Sequence, residues 1–159
     1  MRTARRAGPV AAIVAVVALT AGCFGGGGAA PLPFGNADPR AQELYYLVNN
    51  DRAANGLGPV GWNDQLGGLA QSWSEHMAAT GSFSHQNLWA IINSPGYSNF
   101  SGLGENIISG GCGMSAAEME QQWMASPGHR ANILGNYSSV GIGVACDGGS
   151  VYATQDFGR

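Results

Sequence analysis

The chain has 159 residues, 45% of them hydrophobic, which suits one domain with its own core and is too short for two ordinary ones. Only 11% are charged, no lysine occurs, and seven arginines face ten acids. Arg2, Arg5 and Arg6 lie at the extreme N-terminus, so from Cys23 onward four arginines stand against ten acids, a charge near −6 that repels phosphate backbones and argues against nucleic acid as a partner.

Residues 1–22 read as an export signal of the lipoprotein type. Arg2, Arg5 and Arg6 form a positive start, and Pro9 to Ala21 is an uncharged, mostly apolar run of 13 residues, too short to span a membrane. It closes on Leu19-Thr20-Ala21-Gly22-Cys23, which resembles the bacterial lipobox, where the cysteine is alkylated and the signal is cut before it. The alternative is an ordinary secretory signal with an incidental cysteine. Two or three acyl chains on Cys23 would anchor durably, at about 0.8 kcal/mol per buried methylene. The expected location is the extracytoplasmic face of the cell membrane, with Cys23 joining the chain to the bilayer.

Residues 23–38 form a tether: Gly25 to Gly28 are consecutive, and the Pro- and Ala-containing stretch up to Asn36 shows neither helical nor strand periodicity. The folded domain is expected over 39–159. Asp38-Pro39 opens a first helix, with Ala41, Leu44, Tyr45, Leu47 and Val48 as its apolar stripe and Gly56 beyond its end. Asn63-Asp64 opens a second, strongly amphipathic helix through Leu66, Leu69, Ala70, Trp73, Met77 and Ala78, stopped by Gly81. A short third helical piece spans Leu88 to Asn93 before Ser94-Pro95-Gly96 turns the chain. Glu105 to Ser109 fits a strand. Ser115 and Glu118 make a capping box for a fourth helix, which ends near Ala125 because Ser126 precedes a proline. Val140 to Ala145 alternates large residues with glycine, Val151 to Phe157 alternates apolar with polar, and Asp147-Gly148-Gly149 joins them as a hairpin.

With Cys23 committed to lipid, Cys112 and Cys146 remain as an even pair, expected to form a disulfide in an oxidising compartment; the alternative is two buried thiols.

Phe83-Ser84-His85, Gly104-Glu105-Asn106-Ile107, Trp123 with Ser126-Pro127-Gly128-His129-Arg130-Ala131-Asn132-Ile133-Leu134, Val140-Gly141-Ile142-Gly143-Val144 and Gln155-Asp156-Phe157-Gly158 together resemble the CAP superfamily of cysteine-rich secretory, antigen 5 and pathogenesis-related proteins, in its bacterial SCP-like branch. The resemblance covers about Ala41 to Gly158. It implies an α+β fold, an α-β-α sandwich with a three-stranded antiparallel sheet between helices, and a cleft that in the family often gathers two histidines and two glutamates. His85, Glu105 and His129 match three of those positions. The second glutamate, usually three residues after the tryptophan, is here Ser126, a cleft neighbour without a carboxylate. Glu120, one helical turn before Trp123, has no counterpart in the family pattern.

Two imidazoles and a carboxylate could hold a zinc-like divalent ion, so His85, Glu105 and His129 are also the candidate metal ligands, although no local ligand motif supports it and no cofactor is required. Each residue has a structural reading too: Glu105 tying loops together, His129 bracing its helical turn, Arg130 and Asn132 securing the cleft loops, and His76 lying on helix two as a structural or exposed side chain. Trp62, Trp73 and Trp123 are core candidates, whereas Trp89, near Tyr97 and Phe100, is the tryptophan expected to line a groove.

Two functions follow. One is a binding module for a lipid, sterol, peptide or envelope ligand in the His85/Glu105/His129 cleft. The other is a hydrolase, in which Ser84 or Ser126 is activated by a histidine or a metal-bound water attacks. No Gly-x-Ser-x-Gly elbow occurs, and the binding module is the favoured reading.

Overall fold

The computed structural model describes residues 38–159, so the export signal, Cys23 and all but the last residue of the tether lie outside it. Helix α1 (Pro39–Ala54) starts where local chemistry directs: Asp38 accepts the Arg40 N–H, Pro39 sits in the first turn, and Ala41, Leu44 and Val48 are buried along one stripe. Asn63 accepts the Leu66 N–H to cap α2 (Asp64–Thr80), and Gly81 ends that helix. α3 (Leu88–Ile92) buries none of its residues, and a 3₁₀ turn at Pro95–Tyr97 follows. Strand β2 (Leu103–Gly111) leads to α4 (Ala116–Ala125), whose first turn is closed by the reciprocal Ser115/Glu118 capping box. Ser126 is extended before Pro127, which ends α4 and starts α5 (Pro127–Ile133). β3 (Ser139–Asp147) and β4 (Ser150–Gly158) close the chain as a hairpin whose turn residues Gly148 and Gly149 have φ of 58° and 84°, a conformation that glycine adopts without strain.

The sheet has four strands, one more than the sequence led us to expect. Its order is β1-β3-β4-β2, where β1 is the two-residue strand Gly61–Trp62, parallel to Ser139 and Val140 of β3. Two residues carry no periodicity, so nothing in the local sequence marks them as a strand. The other three strands are antiparallel as expected.

Helices cover both faces. The α2 face is close-packed because Gly141 and Gly143 of β3 lie directly under the helix: a Cβ at Gly141 would strike the backbone of Leu66 and Gly67, and one at Gly143 that of Ala70 and Gln71. The opposite face holds the main core, where Leu44 and Val48 of α1, Met119 and Trp123 of α4 and Ile133 of α5 meet Ile108, Val140, Ile142, Val144, Val151, Ala153 and Phe157. All of β4 from Val151 to Gly158 is buried. Its polar residues Thr154, Gln155 and Asp156 therefore need partners inside the protein.

The Cys112–Cys146 disulfide forms as the cysteine count suggested, with Cα atoms 5.7 Å apart, within the normal range. It joins the far ends of β2 and β3, the two strands that flank β4. No helix of the described residues is long and apolar enough to cross a membrane.

Candidate functional site

Glu105 lies on β2 opposite Asp156 of β4, and this register places two carboxyl groups on the α2 face, 5% and 1% exposed. Glu105 is fully engaged. Its Oε1 is 2.6 Å from His85 Nδ1 and accepts the Gln86 N–H at 3.0 Å, while its Oε2 accepts Gln86 Nε2 at 2.7 Å. The same Gln86 amide reaches both oxygens of Asp156, at 3.2 and 3.0 Å. Burial, reinforced by the nearby Glu105 charge and partly offset by the Gln86 hydrogen bond, pushes Asp156 well above the ordinary carboxyl range. His85 itself is exposed over 59% of its side chain, so its second ring nitrogen is open to a ligand.

A second polar chain occupies the other face of the same two strands. Asn106 pairs with Gln155 in register, donates from Nδ2 to Gln155 Oε1 at 3.0 Å and to the His129 carbonyl at 3.1 Å, and receives Asn132 Nδ2 at its own side-chain oxygen. Asn132 also donates to the Glu105 carbonyl. Gln155 Nε2 continues the chain to Glu120 Oε2 at 2.9 Å. These bonds fix α5, and with it His129, against β2. His129 is half-buried, and its pKa is lowered by burial and then by the His85 charge.

The two histidines therefore approach each other around the edge of β2, His85 from the α2 side and His129 from the α5 side. His129 lines a notch of about 270 Å³ together with Phe83, Ile107, Ile108, Ser109, Gln122, Trp123 and Ser126, whereas His85 and Glu105 are not part of its lining. Ser126 is among its lining residues, and neither Ser126 nor Ser84 donates its hydroxyl to a histidine among the described residues. Glu120 points into the main core and is absent from the notch.

Among the described residues, His85, Glu105 and His129 are not gathered into one ion-holding group. No group of three or more His, Cys, Asp or Glu side chains among the described residues could hold an ion. Both Glu105 oxygens are engaged by His85 and Gln86. Trp89 is 77% exposed on α3, a helix with no buried position, and does not line this notch. Trp123 is fully buried, Trp62 and Trp73 half-buried, and His76 is exposed and stacked on Trp73.

Gln86 was not singled out from sequence, and Asn106, Gln155 and Asp156 stood only within motif segments, with no role in the site assigned to them. A signal existed for the last two, since polar residues in the middle of a strand covered on both faces must be buried and paired.

The model of the CAP, or cysteine-rich secretory protein, family matches residues 45–157. The chain belongs to the CAP family. Its CAP domain is 32% identical over 124 residues to protein YkwD of Bacillus subtilis, covering 74% of this chain and 47% of that protein. An extracellular protein containing an SCP domain from Bacillus anthracis superimposes with a TM-score of 0.65 at 28% identity, covering 76% of this chain and 40% of the other. The chain thus spans less than half the length of either relative. NaASP2, solved with Zn²⁺, shares the CAP fold with a TM-score of 0.53 at 15% identity over 79% of this chain and 82% of its own.

Proposed function

We propose that this CAP-domain chain is an extracytoplasmic, lipid-anchored binding module whose ligand occupies the notch beside His85, Glu105 and His129. The observation that carries this reading is the state of Glu105. A carboxylate that accepts three hydrogen bonds and shares a glutamine with a second buried acid is committed to holding its loop, and is poorly placed to take a proton from a reacting group. A serine nucleophile would need a hydroxyl bonded to its histidine, an arrangement that Ser84 and Ser126 lack. The notch offers instead an uncharged mixture of aromatic, aliphatic and hydrogen-bonding side chains, as binding sites usually do. No metal or other cofactor enters this reading.

Purification of the native chain followed by mass spectrometry of what copurifies tests it. A stoichiometric molecule retained by the wild type and lost when Phe83 and His129 are both replaced by alanine is the expected result. Hydrolysis products in a substrate screen that disappear with Ser126→Ala or His129→Ala would overturn it in favour of the hydrolase.

A further inference from the structure

β2 stands at the end of the sheet order, so one of its edges has no strand beside it. Which backbone groups face that edge follows from the hairpin. The two-residue turn at Gly148 and Gly149 makes Asp147 and Ser150 a hydrogen-bonded pair, so even-numbered residues of β4 bond toward β3 and odd-numbered ones toward β2. Carried through the register of β2 with β4, this turns Asn106, Ile108 and Gly110 inward and directs the N–H and C=O groups of Glu105, Ile107 and Ser109 outward.

Two of these outward carbonyls are occupied, Glu105 by Asn132 Nδ2 and Ile107 by Trp123 Nε1, at 2.9 and 3.1 Å. Ser109 differs from both. It is exposed, and no side chain or loop among the described residues bonds to its outward N–H or C=O. The notch is built around it: Ile107, Ile108 and Ser109 form the floor, Phe83 stands on one side of the edge, and Gln122, Ser126 and His129 stand on the other.

We propose that the edge of β2 at Ser109 binds an extended peptide by strand addition, with one uncharged side chain of the peptide seated in the notch. This rests on the binding-module reading and narrows its ligand to one class. A residue paired antiparallel with Ser109 exchanges an N–H and a C=O with it, which satisfies both free groups at once. An acyl chain or a sterol would cover the same groups, strip their water and return no hydrogen bond. The notch volume of about 270 Å³ suits one side chain and the backbone that carries it. No Asp, Glu, Lys or Arg lines it, and His129 is held toward its neutral form, so the side chain that enters is expected to be uncharged.

The test selects a phage-displayed library of random heptapeptides on the exported chain and, in parallel, on Ser109→Pro, which removes the outward N–H at an edge position where proline is tolerated. Enrichment of sequences with a central apolar residue on the wild type alone is expected. Because a strand proline can also unfold the chain, a second arm leaves the protein untouched: each amide of one enriched peptide is replaced in turn by an ester, and one position is expected to weaken binding at least tenfold. Equal binding across the whole ester series, or equal enrichment on a natively folded Ser109→Pro, would overturn strand addition, as would failure to enrich any peptide. In each of those cases a stoichiometric lipid in the copurification experiment would leave the binding module standing, whereas an empty result there would remove both readings.

Discussion

Glu120 is the residue where burial and chemistry conflict most. It is 3% exposed, Oε2 accepts Gln155 Nε2, and Oε1 has no acceptor-type bond among the described residues. Burial, opposed by the Gln155 bond and reinforced by Asp51 of α1, pushes its pKa up to about 8. A proton on Oε1 gives the Asp51 carboxylate a donor, which accounts for the otherwise unpaired oxygen. The folded value exceeds the ordinary value of 4.5, so between those two pH values the folded chain keeps a proton that the unfolded chain has released. Stability is therefore full below about pH 4.5 and declines as pH rises to about 8, by a few kcal/mol from this group. Asp156, also raised, acts in the same direction. Glu120→Gln keeps the acceptor for Gln155 and removes the ionisation. Thermal unfolding from pH 5 to pH 9 is expected to show a steeper loss of Tm for the wild type than for the variant; parallel curves would mean that Glu120 is ionised in the fold at neutral pH.

Among the elements, the tightest contact is α2 on β3. A methyl group at Gly143 meets helix backbone, which cannot move aside as a side chain can. Gly143→Ala is expected to cost about 3 kcal/mol, read as a lower urea midpoint, whereas alanine at the open position Gly68 should cost nothing comparable. The disulfide acts at the other end of the sheet. With its cysteines 34 positions apart it restricts the unfolded chain by roughly 4 kcal/mol in the chain-entropy model. Reduction, or Cys112→Ser with Cys146→Ser, is expected to lower stability by no more than that; an unchanged midpoint would show that the link constrains nothing. These elements differ in how far their sequences announce them. Asp38, Asn63 and Ser115 mark helix starts because capping is chemistry within three residues, and the alternating glycines of β3 already record a helix lying close above. Gly61–Trp62 is invisible as a strand because its pairing depends wholly on β3. The same limit applies to the site. His85, Glu105 and His129 stand in recognisable local motifs, while Asp156 enters only because the β2/β4 register sets it opposite Glu105, and register is a property of two segments together.

At the scale of the whole molecule, the position of the tether relative to the notch matters most. Arg40, in the first turn of α1, donates from Nη1 to the carbonyls of Cys112 and Met114, both at 2.9 Å, which fixes the start of the domain beside the disulfide end of β2. Glu105 lies near the opposite end of that strand, roughly 20 Å away at about 3.3 Å per residue. A chain anchored at Cys23 would enter the domain at the disulfide end, away from Glu105 and His85, whereas Ser109 and the notch stand only about 10 Å from that end, three residues before Cys112 at about 3.3 Å per residue. The segment from Cys23 to Asp38 spans at most about 50 Å fully extended, so an anchor at Cys23 would keep the domain close to the surface that holds it. The anchoring proposal hangs on Cys23. Cys23→Ala is therefore expected to move the protein from the membrane fraction to the soluble fraction of the envelope while leaving Tm unchanged, because no contact of the folded domain is altered. Release with native stability separates an anchoring role from a folding one; full retention of the variant in the membrane fraction would remove the lipoprotein reading and leave the notch and its strand edge to be explained in a freely exported protein.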